Sequence, residues 1–126
     1  MKRTLCIIVV IMALVISVAS AGILSDSEFD SANAQLTNSK TVSFSAETFE
    51  RKNCIKVTTV KLYKLNDNDT WTISNLPAPE QQATNAKQYG ATMDYSSYIG
   101  SGTYRIKVTF WADGHSLSRF SNSKTY

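Results

Sequence analysis

The chain has 126 residues, 13 Lys+Arg against 10 Asp+Glu, a single His, two Cys and 43% hydrophobic residues. That length suits one small domain with one modest core, and two cysteines exclude a disulfide-dense scaffold. Two of the cations, Lys2 and Arg3, sit at the extreme amino terminus, so the charge does not form the clustered basic footprint of a nucleic-acid binder.

Taken in chain order, the first feature is export. Lys2 and Arg3 make a positive start, residues 5–18 are apolar apart from Ser17, and Ala19, Ser20 and Ala21 supply small residues. This is the pattern of a signal peptide over 1–21, with cleavage expected before Gly22 and a secreted product. The apolar run is shorter than the roughly 20 residues of a membrane span, so the expected membrane contact is through the signal peptide before cleavage. Cys6 lies at the start of the run and not at the cleavage point, which argues against a lipoprotein. Removing Lys2 and Arg3 from the 13 cations leaves 11 against 10 acids, a nearly neutral product.

Residues 22–39 are mostly small and polar and read as a flexible leader, with the domain proper over 40–126. Val42, Phe44 and Ala46 alternate with Ser43, Ser45 and Glu47 as a first strand over 41–49. A second, β-branched stretch over 52–65 contains Cys54, the one cysteine left after cleavage. That thiol is open to three fates: burial as a small hydrophobe, a bridge between two chains in a disulfide-linked homodimer, or reactivity. The segment between Phe49 and Ile55 is short for a complete strand and crossover.

Residues 60–73 form an expected hairpin around the polar loop Asn66-Asp67-Asn68-Asp69, with Trp71 on the return, and Pro77 and Pro79 end it. Residues 80–88 read equally as a helical turn or a loop. Tyr89, Ala91, Met93 and Tyr95 alternate as another strand, and 96–102 makes a corner with Gly100 and Gly102. From Gly102 the alternation is nearly free of error. Tyr104, Ile106, Val108 and Phe110 fall on one face, and Arg105, Lys107, Thr109 and Trp111 on the other. Asp113-Gly114 predicts a tight hairpin into the last strand. Leu117 and Phe120, three apart, both point inward only if that strand is bulged.

Short strands, turn signals between them and no helical periodicity predict an all-β fold, an antiparallel β-sandwich. Tyr104, near a strand start and two residues before Ile106, resembles the tyrosine corner of immunoglobulin-like and fibronectin-III-like domains, in which the hydroxyl bonds back to upstream backbone. Ile106 stands where an immunoglobulin domain has its second cysteine, so the disulfide version is excluded.

The signal peptide, Val60-Lys61-Leu62-Tyr63-Lys64, the polar turn, Trp71, the run from Gly102 to Val108 and the ending Ser121-Asn122-Ser123-Lys124-Thr125-Tyr126 together resemble small exported β-sandwich proteins of Gram-positive, clostridia-like bacteria. The resemblance covers about the last two-thirds of the chain. It implies a fold and an extracellular location; the group has no assigned activity, so it implies no functional residue.

The residues for catalysis are sparse. His115 follows the Asp113-Gly114 turn and reads as a turn residue, and Asp113, His115 and Ser116 are too close in sequence to converge as a triad from separate elements. One His and one Cys lack zinc-ligand spacing. The Asn66-Asp67-Asn68-Asp69 loop lacks the central Gly and terminal Glu of a calcium loop. Asn68-Asp69-Thr70 also fits a glycosylation sequon. No cofactor and no enzymatic activity are expected.

The outward positions Lys61, Tyr63, Arg105, Lys107 and Trp111 remain. If the two strands that carry them share a sheet, they form one face of cations and aromatics, suited to a sugar ring, an acidic polymer or a protein. Such a face also serves simply as the wet side of an antiparallel sheet. The expected function is a non-catalytic extracellular module binding protein or glycan, with a secreted effector such as a bacteriocin or small toxin as the alternative. No cationic amphipathic segment suggests membrane attack.

Overall fold

A computed structural model describes residues 28–126, all of them in strands or the turns between strands. The expected signal peptide over 1–21 and the first part of the expected leader lie outside the described residues. Seven strands follow: β1 (Phe29–Leu36), β2 (Thr41–Leu65), β3 (Trp71–Leu76), β4 (Gln82–Asp94), β5 (Thr103–Ala112), β6 (His115–Phe120) and β7 (Lys124–Thr125). Every pairing is antiparallel, and hydrogen bonds link all seven into one sheet that curls into a half-barrel.

β2 organises the fold. Its first half pairs with β1 on one edge and β4 on the other; its second half pairs with β5 and with β4 followed by β3. The 25-residue strand can serve both ends of the sheet because its alternation slips twice. Val42, Phe44, Ala46 and Thr48 are buried, then Ile55 and Val57, then Val60 and Leu62. The first slip lies between Glu47 and Lys52 in the β4 pairing, and the second is a bulge at Thr58, between Val57↔Phe110 and Thr59↔Thr109. Each extra residue bends the strand and resets which side chains face inward. The expected break between a strand over 41–49 and a second stretch over 52–65 is therefore corrected. No Gly or Pro interrupts the segment, and pairing with β4 resumes at Lys52 after the irregularity.

The first slip is fastened by an ion pair. Lys52 is nearly buried at the kink, and its ammonium meets the Glu28 carboxylate just before β1. A charge so far from water requires such a partner.

β1 corrects the expectation of a flexible leader as far as residue 39. Phe29, Ala34 and Leu36 are buried and pair with the first half of β2. The turn that follows, 37–40, is closed by Lys40 N–H donating to Thr37 O and puts Lys40 at φ 66°. The 66–70 hairpin loop uses the same device: Asp69 N–H donates to Asn66 O, and Asp69 sits at φ 65°. Asp tolerates this left-handed conformation better than most residues, which is why the Asn/Asp cluster marks the turn. Residues 82–88, undecided by sequence, continue β4, which among the described residues pairs with β2 alone.

The core lies inside the curl. Ile106, Val108, Phe110 and Ala112 of β5 are fully buried, with Leu117 of β6, Phe44 of β2 and Phe29 and Leu36 of β1. The open side is drawn together by Asn122, which follows β6. Its amide donates to Leu36 O at 3.0 Å and accepts from Leu36 N–H at 2.9 Å, imitating a strand neighbour for β1. The Tyr126 hydroxyl adds a bond to Thr37 O.

Candidate functional site

The expected tyrosine corner is present as local geometry. The Tyr104 hydroxyl donates to Ser101 O and accepts from Gly100 N–H, both at 3.2 Å, which fixes the corner that launches β5. From there β5 alternates without slip, so Arg105, Lys107, Thr109 and Trp111 all turn away from the core.

The pairing of β2 with β5 puts Tyr63 opposite Arg105, Lys61 opposite Lys107 and Lys56 opposite Trp111. Lys61, Tyr63, Arg105, Lys107 and Trp111, singled out from the sequence, therefore share one sheet face. β3 extends it, with Ile73 opposite Tyr63 and Asn75 opposite Lys61. β6 extends it on the other side, with Phe120 opposite Lys107, Ser118 opposite Thr109 and Ser116 opposite Trp111.

Two groupings divide the face. At one end Arg105 is enclosed by rings: its guanidinium carbon lies 4.1 Å from the Phe120 centroid, 4.5 Å from Trp71 and 5.4 Å from Tyr63. The rings meet edge to face, Tyr63 with Phe120 at 5.1 Å and with Trp71 at 6.3 Å. Arg105 Nε is buried without a hydrogen-bond partner, so this arginine is held by the ring faces. At the other end Lys56 Nζ lies 4.9 Å over the Trp111 ring.

Between these groupings lies a shallow hollow of about 260 Å³ lined by Thr59, Lys61, Lys107 and Thr109. Lys107 Nζ is 5.6 Å from the Phe120 ring. Among the described residues, neither Lys61 nor Lys107 has a carboxylate partner. Four cations, Lys56, Lys61, Arg105 and Lys107, thus occupy a face on which no described strand position carries an acid.

Sequence reasoning missed Lys56, Trp71 and Phe120. Lys56 joins the face only because the bulge at Thr58 moves an even-numbered residue into line with Lys61 and Tyr63. Trp71 follows from the hairpin register, which pairs it with Leu65. The open question over Phe120 is resolved: β6 runs unbulged against β5, so of Leu117 and Phe120 only Leu117 points inward and Phe120 is 43% exposed.

The other sequence candidates hold structural positions. Asp113, at φ 46°, and Gly114, at φ 92°, make the two-residue turn between β5 and β6. The Asp113 carboxylate accepts from Asn53 N–H at 2.9 Å and Cys54 N–H at 3.0 Å, tying that turn to β2. Cys54 is a half-buried free thiol whose Sγ lies 3.6 Å from Gln82 Oε1. In the 66–70 loop, Asn68 Oδ1 accepts from the Thr70 hydroxyl at 2.6 Å, an arrangement internal to the hairpin.

No protein-family model, no curated protein and no solved structure matches this chain.

Proposed function

We propose that this protein is a secreted, non-catalytic interaction module that holds an extracellular protein or glycan on the outer face of β3, β2, β5 and β6. The observation that carries the reading is the composition of that face: four cations and the large side chains of Tyr63, Trp71, Ile73, Trp111 and Phe120, with no carboxylate among its described strand positions. Aromatic and arginine side chains are the residue types in which binding energy concentrates. We further propose that the half-barrel is a member of the immunoglobulin-like or fibronectin-III-like architectures, a relation supported by the Tyr104 hydroxyl bonding back to the corner backbone, and that it belongs with the exported proteins of Gram-positive bacteria it resembles.

The test is retention of the protein on whole cells and extracellular polymers. A Tyr63→Ala, Trp111→Ala double variant that keeps its β-sheet circular dichroism is expected to lose at least about tenfold in affinity, the scale of one binding hot spot. Unchanged retention by that folded variant overturns the use of this face. Non-reducing electrophoresis of the secreted protein, with Cys54→Ser as control, tests for a disulfide-linked homodimer.

A further inference from the structure

We infer that the hollow between Lys61 and Lys107 receives the anionic groups, carboxylate or sulfate, of an acidic polysaccharide. The inference rests on the outer face being the binding surface and names the class of ligand it takes.

Lys61 and Lys107 are directly opposed across β2 and β5. Like charges in that position destabilise a sheet, and ordinary sheets set an acid or a neutral residue there. Here the repulsion has no counter-charge on the face, and hydroxyls flank it instead. Thr59 and Thr109 line the same hollow, and Thr109 is hydrogen-bonded at 2.9 Å to Ser118. Two ammonium groups with neighbouring hydroxyl donors are a receptor for an anionic oxygen group.

The dimensions favour a polymer. A hollow of about 260 Å³ is smaller than the roughly 300–1,000 Å³ of pockets that enclose a whole small molecule. It suits one charged group on a longer chain. The cations also recur along the strands. Arg105 and the Trp111–Lys56 pair are six residues apart on β5, about 20 Å at the usual strand rise, with the lysine pair between them.

Polysaccharide is favoured over acidic polypeptide by what the face lacks and what it carries. Its rings pack on Arg105, Lys56 and one another, so the protein's own cations occupy them. Beside Lys61 and Lys107 both β2 and β5 are already paired on each side, which leaves no edge at the hollow for a peptide backbone to extend. Thr59, Thr109, Ser116, Ser118 and Asn75 instead supply groups that both donate and accept, as a hydroxyl-rich ligand requires.

The experiment titrates the protein with dextran sulfate, polygalacturonate, neutral dextran and poly-glutamate at several salt concentrations. Both acidic polysaccharides are expected to bind, more weakly as salt rises, while neutral dextran does not. Lys61→Gln and Lys107→Gln are each expected to lose about tenfold in affinity. Their melting temperature should stay equal or rise, because the substitution relieves the repulsion. Lys87→Gln, on the exposed part of β4, should bind as the wild type does. Equal binding of neutral dextran, equal or tighter binding of poly-glutamate, absence of binding to both acidic polysaccharides, or lysine variants that bind normally each overturn the inference. Normal lysine variants alongside a Tyr63→Ala, Trp111→Ala loss on whole cells would remove the anionic ligand while leaving the face as the binding surface.

Discussion

Arg105 shows how one residue changes its meaning between sequence and structure. As an outward cation on an alternating strand it reads as a ligand contact. Its guanidinium is instead enclosed by Tyr63, Trp71 and Phe120, which come from β2, β3 and the end of β6. The charge still contributes to the potential of the face, but the group itself clasps three strands. Partly desolvated cation–ring contacts contribute about 1–2 kcal/mol. Arg105→Ala should therefore lower the unfolding free energy by about 2 kcal/mol, and Arg105→Lys by about half as much, since an ammonium covers fewer rings. Urea denaturation measures both. Equal losses for Ala and Lys would mean that the planar guanidinium has no special part.

At the scale of the element, β2 turns on single inserted residues. Thr58 is the extra residue that lets Val57 and Val60 both face inward while Lys56 and Lys61 both face out. Deleting Thr58 leaves Ile55, Val57, Val60 and Leu62 in strict alternation on the core face and keeps the β5 register, so it removes only the bulge and the bend it supplies. The variant should still fold, with a loss of about 1–2 kcal/mol from the altered bend of the strand. Thr58→Ala should cost less than about 1 kcal/mol, because it removes only a 3.4 Å hydroxyl contact to Thr109 O. Comparing the two by circular dichroism and denaturant midpoint separates the bulge from its side chain.

The same strand shows what could be read in advance. Short-range signals were legible: the Tyr104 to Phe110 alternation, the Asp113-Gly114 turn and the Asn/Asp loop each act within a few residues. So was the grouping of Lys61, Tyr63, Arg105, Lys107 and Trp111, which needs only two regular strands side by side. β1 and the first part of β4 were not legible, because their sequences are polar and sparse in large apolar residues. What holds them extended is pairing with β2, through the 37–40 turn for β1 and from far along the chain for β4, and Phe29 is fully buried in the core. A bulge leaves no mark in composition, so Lys56 and Phe120 could not be assigned to a face.

For the whole molecule, tyrosine hydroxyls bind loops to the curl, and their titration should set the alkaline limit of the fold. Tyr95 is fully buried, with its hydroxyl donating to Pro77 O at 2.6 Å, and Tyr89 is 5% exposed, donating to Gln81 O at 3.0 Å. Burial raises both phenols above their ordinary value of 10.0, Tyr95 strongly. A raised folded value means that the folded protein keeps a proton the unfolded chain gives up. The stabilisation is thus fully present below about pH 10 and is lost as pH rises from there through the folded values. Each such tyrosine adds up to about 1.4 kcal/mol of lost stability per pH unit in that window. Tyr95→Phe should be less stable at neutral pH by about 1 kcal/mol, since Pro77 O loses its donor. Its alkaline limb should be shallower, so the variant and wild-type curves converge above about pH 10. Urea unfolding across the alkaline range, with phenolate absorbance followed in parallel, measures this directly. Curves that stay parallel would mean that the Tyr95 proton is not held by the fold, and that the corner between β4 and β5 opens before the core does.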